Sequence, residues 1–197
     1  NVIKSYIDKA IYYLTLAADQ NNSHAQFSLA VIYLTSNLVV RDIQKALHYL
    51  SLSANQNFSD AQFYLFEIYS SGNYVPVDVN KAIYYCTLAA NQDNPMAQYS
   101  LGLIYYCNTF NTFKTNEIKK GIQYIMLALK NGYKMAYFSY GFLLQEGKNI
   151  DRNIDEAIHY YKEASSFNNN YAKNNLGIIY KHGYGDKIKS NIVNSIV

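Results

Sequence analysis

The feature that most constrains this chain is an internal period. The pair Lys9-Ala10 recurs as Lys45-Ala46, Lys81-Ala82, Lys120-Gly121 and Glu156-Ala157, at spacings of 36, 36, 39 and 36 residues. Ala25-Gln26 recurs as Ala61-Gln62, Ala97-Gln98, Ala136-Tyr137 and Ala172-Lys173, at the same four spacings. Two independent markers that share one period and one three-residue insertion define a repeat architecture. In such an array each unit buries its apolar stripe only against its neighbours.

Each period holds two helical patterns. Stretches such as AQFSLAVIY from Ala25 and AQYSLGLIY from Ala97 place apolar or small residues at i, i+4, i+5, i+7 and i+8, a 3.6-residue stripe rather than a strand alternation. These are termed A helices. Stretches such as KAIYYLTLAA from Lys9 and KAIYYCTLAA from Lys81 repeat Ala, Tyr and Ala at i, i+3 and i+7; these are termed B helices. The strings LAADQNNSHAQ, LSANQNFSDAQ and LAANQDNPMAQ join a B helix to the next A helix. Their sixth residue is Asn21, Asn57 or Asp93, with Gly132 and Asn168 as the later equivalents. Those three residue types best tolerate left-handed backbone angles, so the position reads as a helix C-terminal cap. Pro95 stands where a helix begins and its missing N–H does no harm. The other loop has its own signals, Gly72, Gly147 and Gly183 on one side and the candidate N-caps Asp42, Asp78 and Asn153 on the other, and Asn153 with Glu156 matches a capping box.

The expected fold is therefore all-α: a solenoid of about five 36-residue antiparallel helix pairs forming one array over residues 1–197. The units lie near 24–59, 60–95, 96–134, 135–170 and 171–197, with 1–23 as the tail of a preceding unit. The first residue is Asn rather than Met, so the chain reads as part of something longer.

These residues carry a family likeness. The pattern K-A-x-x-Y-x-x-x-A-A-x-Q-[NGD]-x-x-x-A-Q-x-x-L-G-x-I-Y resembles the Sel-one-like repeat, a relative of the tetratricopeptide repeat, over nearly the whole chain. The fullest match is Lys81 to Tyr105, through Ala89, Ala90, Gln92, Ala97, Gln98, Leu101 and Gly102. The resemblance implies a right-handed α-α superhelix with A helices lining its concave face, and a role as an adaptor that binds other proteins. There are departures. Phe66 stands where Ala30, Gly102, Gly141 and Gly177 stand in other units, and is expected to push helices apart or fill a local gap. Gly121 replaces the usual Ala and is expected to weaken its helix by up to about 1 kcal/mol. The insertion within CNTFNTFKTNE lengthens one loop, and the final SNIVNSIV does not restart the Lys-Ala pattern.

Composition narrows the function classes. Half the residues are hydrophobic and 16% are charged, below the roughly 25% of a typical soluble domain. The 22 Tyr suit half-buried helix faces and binding surfaces. The net charge of +3 is uneven: up to Phe110 there are five bases and seven acids, and beyond it twelve bases and seven acids. No Lys/Arg run tracks phosphates, so nucleic acid is not an expected partner. Cys86 and Cys107 each fall in an apolar pattern and form no disulfide framework, which favours a reducing, cytoplasmic setting and leaves lumenal or extracellular ones open. No apolar run is long enough for a membrane span.

No catalytic constellation is present in the sequence. His24, His48, His159 and His182 include no i, i+4 pair, and neither cysteine completes a zinc set. His48 and His159 share a repeat position with Tyr12, Tyr84 and Gln123, so they follow the register rather than a reaction. There is no G-x-S-x-G, P-loop or G-x-G-x-x-G. Neither an enzymatic activity nor a cofactor or metal is expected.

With the phase implied by the resemblance, the residues facing the concave side include Phe27, Val31, Leu34, Phe63, Glu67, Tyr99, Leu103, Tyr106, Phe138, Phe142 and Ile178. Phe27, Phe63, Tyr99 and Phe138 form a ladder at one register; Val31, Leu103, Phe142 and Ile178 form another beside it. Contiguous apolar surface marks interaction sites, and aromatic anchors suit a groove that takes a peptide. The alternative is that these side chains pack against the neighbouring A helix; for a large ring both can hold. The function expected is a protein-interaction scaffold. A second reading makes the chain a regulatory or targeting arm of a larger enzyme, such as a protein kinase or a ubiquitin-ligase complex.

Overall fold

The computed structural model describes residues 2–107 and 117–183. Most of the loop insertion and the terminal SNIVNSIV lie outside the described residues. Among those described there are ten helices and no strand. The B helices are α1 (Val2–Asp19), α3 (Ile43–Asn55), α5 (Val79–Ala90), α7 (Ile118–Lys130) and α9 (Ile154–Ser166). The A helices are α2 (Ser23–Thr35), α4 (Ser59–Ser71), α6 (Pro95–Cys107), α8 (Lys134–Glu146) and α10 (Asn170–His182). The fold is an all-α solenoid of helix pairs. It divides into two compact units, Asn1–Leu101 and Gly102–Val197, described separately below.

The B-to-A turn is built as the sequence requires. Asn21, Asn57, Asp93, Gly132 and Asn168 all have φ between 57° and 78°. Each is followed by a residue whose N–H reaches back five positions: Asn22 to the Ala17 carbonyl at 3.1 Å, Asn94 to Ala89 at 3.2 Å, Asn169 to Ala164 at 3.2 Å. Asn21 N–H donates to Ala18 at 2.9 Å. This pair of bonds is the Schellman closure, which satisfies helix-end carbonyls. That next residue also starts the A helix. The side chains of Asn22, Asn94 and Asn169 accept from the N–H of Ala25, Ala97 and Ala172 at 2.9 to 3.1 Å. Sequence reasoning found the left-handed residue and missed this second one. At Phe58 and Tyr133 no side-chain cap is made. The A-to-B loop ends in the predicted N-caps: Asp42, Asp78 and Asn153 accept from Lys45, Lys81 and Glu156 N–H. The capping box at Asn153 is altered, because Glu156 accepts from the Asn153 side-chain amide at 3.0 Å, while the Asn153 backbone N–H goes to the Leu144 carbonyl.

The Lys-Ala marker has a physical basis in each half. Ala46, Ala82 and Ala157 have no exposed surface. The lysine lies over the tyrosine that ends the preceding A helix: Lys45 over Tyr33 at 5.3 Å, Lys81 over Tyr69 at 4.9 Å, Lys120 over Tyr105 at 4.4 Å. Each of those rings stacks on a B-helix ring, Tyr49, Tyr85 and Tyr124, at 5.9 to 6.3 Å. Exposed cation–π contacts of this kind contribute about 0.5–1 kcal/mol. In the last pair Glu156 replaces the lysine and Leu144 replaces the tyrosine, so both partners change together.

In the second unit α6 and α7 approach through two glycines. A Cβ on Gly121 would lie 2.6 Å from the Tyr106 nitrogen and 2.7 Å from the Gly102 carbonyl. A Cβ on Gly102 would lie 2.8 Å from Ile125. Gly121 is thus more than a weak helix former: backbone atoms occupy the space its side chain would need. The A-to-B pairs also exchange volume at one register. Gly141 faces the fully buried Tyr161, whose ring a Cβ would meet at 3.1 Å. The same two positions hold Phe66 and Cys86 in the α4–α5 pair, both buried. A large residue on the A helix thus goes with a small one on the B helix, and the burial of Phe66 fits the gap-filling alternative.

Two outcomes follow from this packing. Gly121→Ala should lower the urea midpoint, although helix propensity alone favours alanine by about 1 kcal/mol; a raised midpoint contradicts the close approach. Phe66→Ala should cost about 3–5 kcal/mol and Cys86→Leu about 1–3 kcal/mol from overpacking. The double variant should be less destabilised than the sum, as a double-mutant cycle on urea melts will read.

Candidate functional site

The eleven residues expected on the A-helix face separate by burial. In the first unit Leu34 is 1% exposed and packs with Ala30, Ala46 and Leu50. Phe63 is 8% exposed, with its ring 5.5 Å from Phe66. Both belong to the core, which corrects the expectation of surface anchors at these positions. The cause is local: at the edge of a helical stripe, neighbouring volumes decide whether a side chain turns in. Phe27 is half-buried and meets the rings of Phe58 and Tyr64 at 5.4 and 5.8 Å, so much of its surface is spent on α4 and the residue that caps it. Val31 and Tyr99 are half-buried and Glu67 is exposed.

In the second unit the expected residues come together. α6 supplies Leu103 and Tyr106, and α8 supplies Phe138 and Phe142. With Cys107, Ile125, Ser139 and Leu143 they line a pocket of about 180 Å³. Ile125 and Leu143 are core residues and form its floor. Phe142 is 40% exposed at its mouth. Phe138 is held by Phe142, Tyr161 and Tyr171 at 5.8 to 6.5 Å between ring centres. Ile178, on α10, is 44% exposed and does not line the pocket. Ile125 escaped sequence reasoning because its register is that of the buried Leu50, Cys86 and Tyr161.

The electrostatics of the site are weak but directional. Burial raises the Tyr106 hydroxyl above its ordinary pKa, and nearby Cys107 and Glu146 add to the shift. Burial pushes the Tyr161 hydroxyl up to about 12; the hydrogen bond from Asn175 opposes this and Glu146 adds to it. Tyr161 donates to Gln145 Oε1 at 2.7 Å and accepts from Asn175 Nδ2 at 3.0 Å, tying α8, α9 and α10 together behind the pocket. Among the described residues no group of three His, Cys, Asp or Glu side chains could hold a metal ion, and the four histidines lie on different helices. No helix among the described residues is long and apolar enough to cross a membrane.

The repeat geometry has counterparts among known proteins. The Sel1 repeat profile matches residues 2–22, 23–58, 59–94, 95–132, 134–166 and 170–196. The chain belongs to the Sel1 repeat family. Its structure is similar to that of c5321, described as a protective antigen of uropathogenic Escherichia coli with an SLR fold (TM-score 0.78, 32% identity, 88% of this chain and 36% of that one). It is also similar to a Sel1 repeat protein from Oxalobacter formigenes (TM-score 0.77, 27% identity, 87% of this chain and 69% of that one). Helicobacter pylori cysteine rich protein B shares the fold (TM-score 0.52, 24% identity, 68% of this chain and 94% of that one). This chain thus spans about a third of the length of c5321. No curated protein matches the sequence. Sel1-repeat proteins are, as a class, protein-interaction scaffolds, and the fold is typically non-enzymatic.

The two cysteines of this Sel1 chain differ in environment. Cys107 is exposed at the pocket, whereas Cys86 is fully buried, its Sγ donating to the Ala97 carbonyl at 3.4 Å, and burial pushes its thiol up to about 12. Thiolate is the reactive form. At pH 8, Ellman's reagent should titrate one thiol on the native protein and the second only in urea. Rapid reaction of both thiols contradicts this packing.

Proposed function

We propose that this chain is a non-catalytic protein-interaction scaffold whose partner seats on the A-helix face of the second unit, in the pocket between α6, α7 and α8. One observation carries the reading: Phe142, a large aromatic side chain 40% exposed, stands at the mouth of an apolar pocket rather than on a flat surface. Exposed apolar surface next to a preformed cavity is where hot-spot anchors bind. The repeat does not require that side chain for stability, since Val31, Glu67, Leu103 and Ile178 occupy the same register elsewhere. The family role supports the scaffold class. The reading as an arm of a larger enzyme draws no support from the similar structures.

Paired baits test this: the wild-type chain and Phe142→Asp, with captured proteins quantified by mass spectrometry. The variant should keep the helical circular dichroism and lose at least tenfold of the specific capture. Equal capture by both baits contradicts the assignment of this face.

A further inference from the structure

Resting on that reading, the geometry points to the chemistry of the occupant: we infer that the pocket takes an extended peptide segment carrying an aliphatic or aromatic side chain and, two residues further on, a lysine or arginine.

Size excludes one class of ligand first. Small-molecule sites run to about 300–1,000 Å³. At about 180 Å³ this pocket is smaller, and suits one inserted side chain. Its walls are almost entirely apolar, so that side chain is apolar.

The second element is Glu146. Phe138, Phe142 and Glu146 follow at four-residue steps on α8 and share one face. Glu146 is exposed and is the last residue of the helix, before the left-handed Gly147. Helix polarity disfavours an acid there and favours a cation. The repeat does not demand it either: the equivalents are Thr35, Ser71, Cys107 and His182. Among the described residues the ion pairs are Lys45–Asp42, Lys81–Asp78 and Lys120–Glu117, and none involves Glu146. Arg152, from the following loop, directs its Nε to the Gln145 carbonyl at 3.0 Å. A carboxylate beside an apolar pocket, at the negative end of a helix, is complementary to a cationic group on whatever fills the pocket.

Spacing sets the motif. Phe142 and Glu146 are one turn apart, about 6 Å along the axis. In an extended peptide, side chains on the same face are two residues and about 6.6 Å apart. An apolar-x-basic sequence therefore matches pocket and carboxylate together.

The test is a titration of the ¹⁵N-labelled chain, followed by amide shifts, with the peptide Ac-Ser-Gly-Leu-Ser-Lys-Gly-Ser-NH2 and its Leu→Ala and Lys→Glu forms. The Leu/Lys peptide should shift the α8 and α6 pocket amides. Binding should weaken about fivefold with Lys→Glu and be lost with Leu→Ala. Glu146→Lys, its fold checked by circular dichroism, should reverse the order of the Lys and Glu peptides. If both leucine peptides bind the pocket equally, the cation inference fails while the pocket reading stands. If no leucine peptide moves the pocket amides, both fail.

Discussion

The fold depends on a buried glutamine amide set against the end of a helix. Gln26, Gln62 and Gln98, the second residue of the Ala-Gln marker, are at most 1% exposed. Each donates from Nε2 to the carbonyl of the last or next-to-last residue of the preceding B helix: Ala18 at 3.2 Å, Ala54 at 3.1 Å and Ala90 at 3.3 Å. Gln26 and Gln98 also reach the left-handed residue itself, at Asn21 Oδ1 and Asp93 Oδ1. Their carbonyls are used as well, since Gln56 donates to Gln26 at 2.7 Å and Gln92 to Gln62 at 2.6 Å. A buried amide left unpaired costs about 1–3 kcal/mol, so the turn closes in one geometry. That geometry fixes the angle at which the A helix enters, and with it the close contacts at Ala46 and Ala82 and the tyrosine stacks beyond.

The second unit is held differently. Tyr137 and Lys173 replace the glutamine at this register. Lys173 still reaches the left-handed residue, Asn168, at 3.4 Å, while Tyr137 packs on Tyr160 and Phe167. Compensation comes from the Gly102–Gly121 approach and from Tyr161, which bridges Gln145 and Asn175 in the space Gly141 leaves. The pocket lies among these departures from the repeat. The regular part of the chain carries packing, and the irregular part carries the surface with an apolar opening and an exposed acid, Glu146.

Much of the fold was legible in the sequence because period and turn chemistry act locally. The left-handed set Asn21, Asn57, Asp93, Gly132 and Asn168 could be read from residue type alone, since few side chains tolerate that backbone. Asp42 and Asp78 were legible for a different local reason: few side chains accept the first free N–H groups of a helix. The site was less so. Periodicity assigns a face, but it does not say how far a neighbour's side chain reaches across it. Leu34 and Phe63 therefore turned out to be core, while Leu103, Tyr106, Phe138 and Phe142 converged on one pocket. Gly121 looked like a helix defect because its partner, Gly102, lies on another helix. Phe66 could be read as a wedge or as a gap filler, because the small residue at the facing register, Cys86, lies on another helix.

Hydrogen exchange of the glutamine side chains tests the central constraint most directly. With the amide NH2 groups of Gln26, Gln62 and Gln98 followed by NMR, the buried clasp predicts exchange as slow as the core backbone amides of α2 to α5, released only when the unit unfolds. Exchange at the rate of a free glutamine side chain, while those backbone amides remain protected, would contradict it.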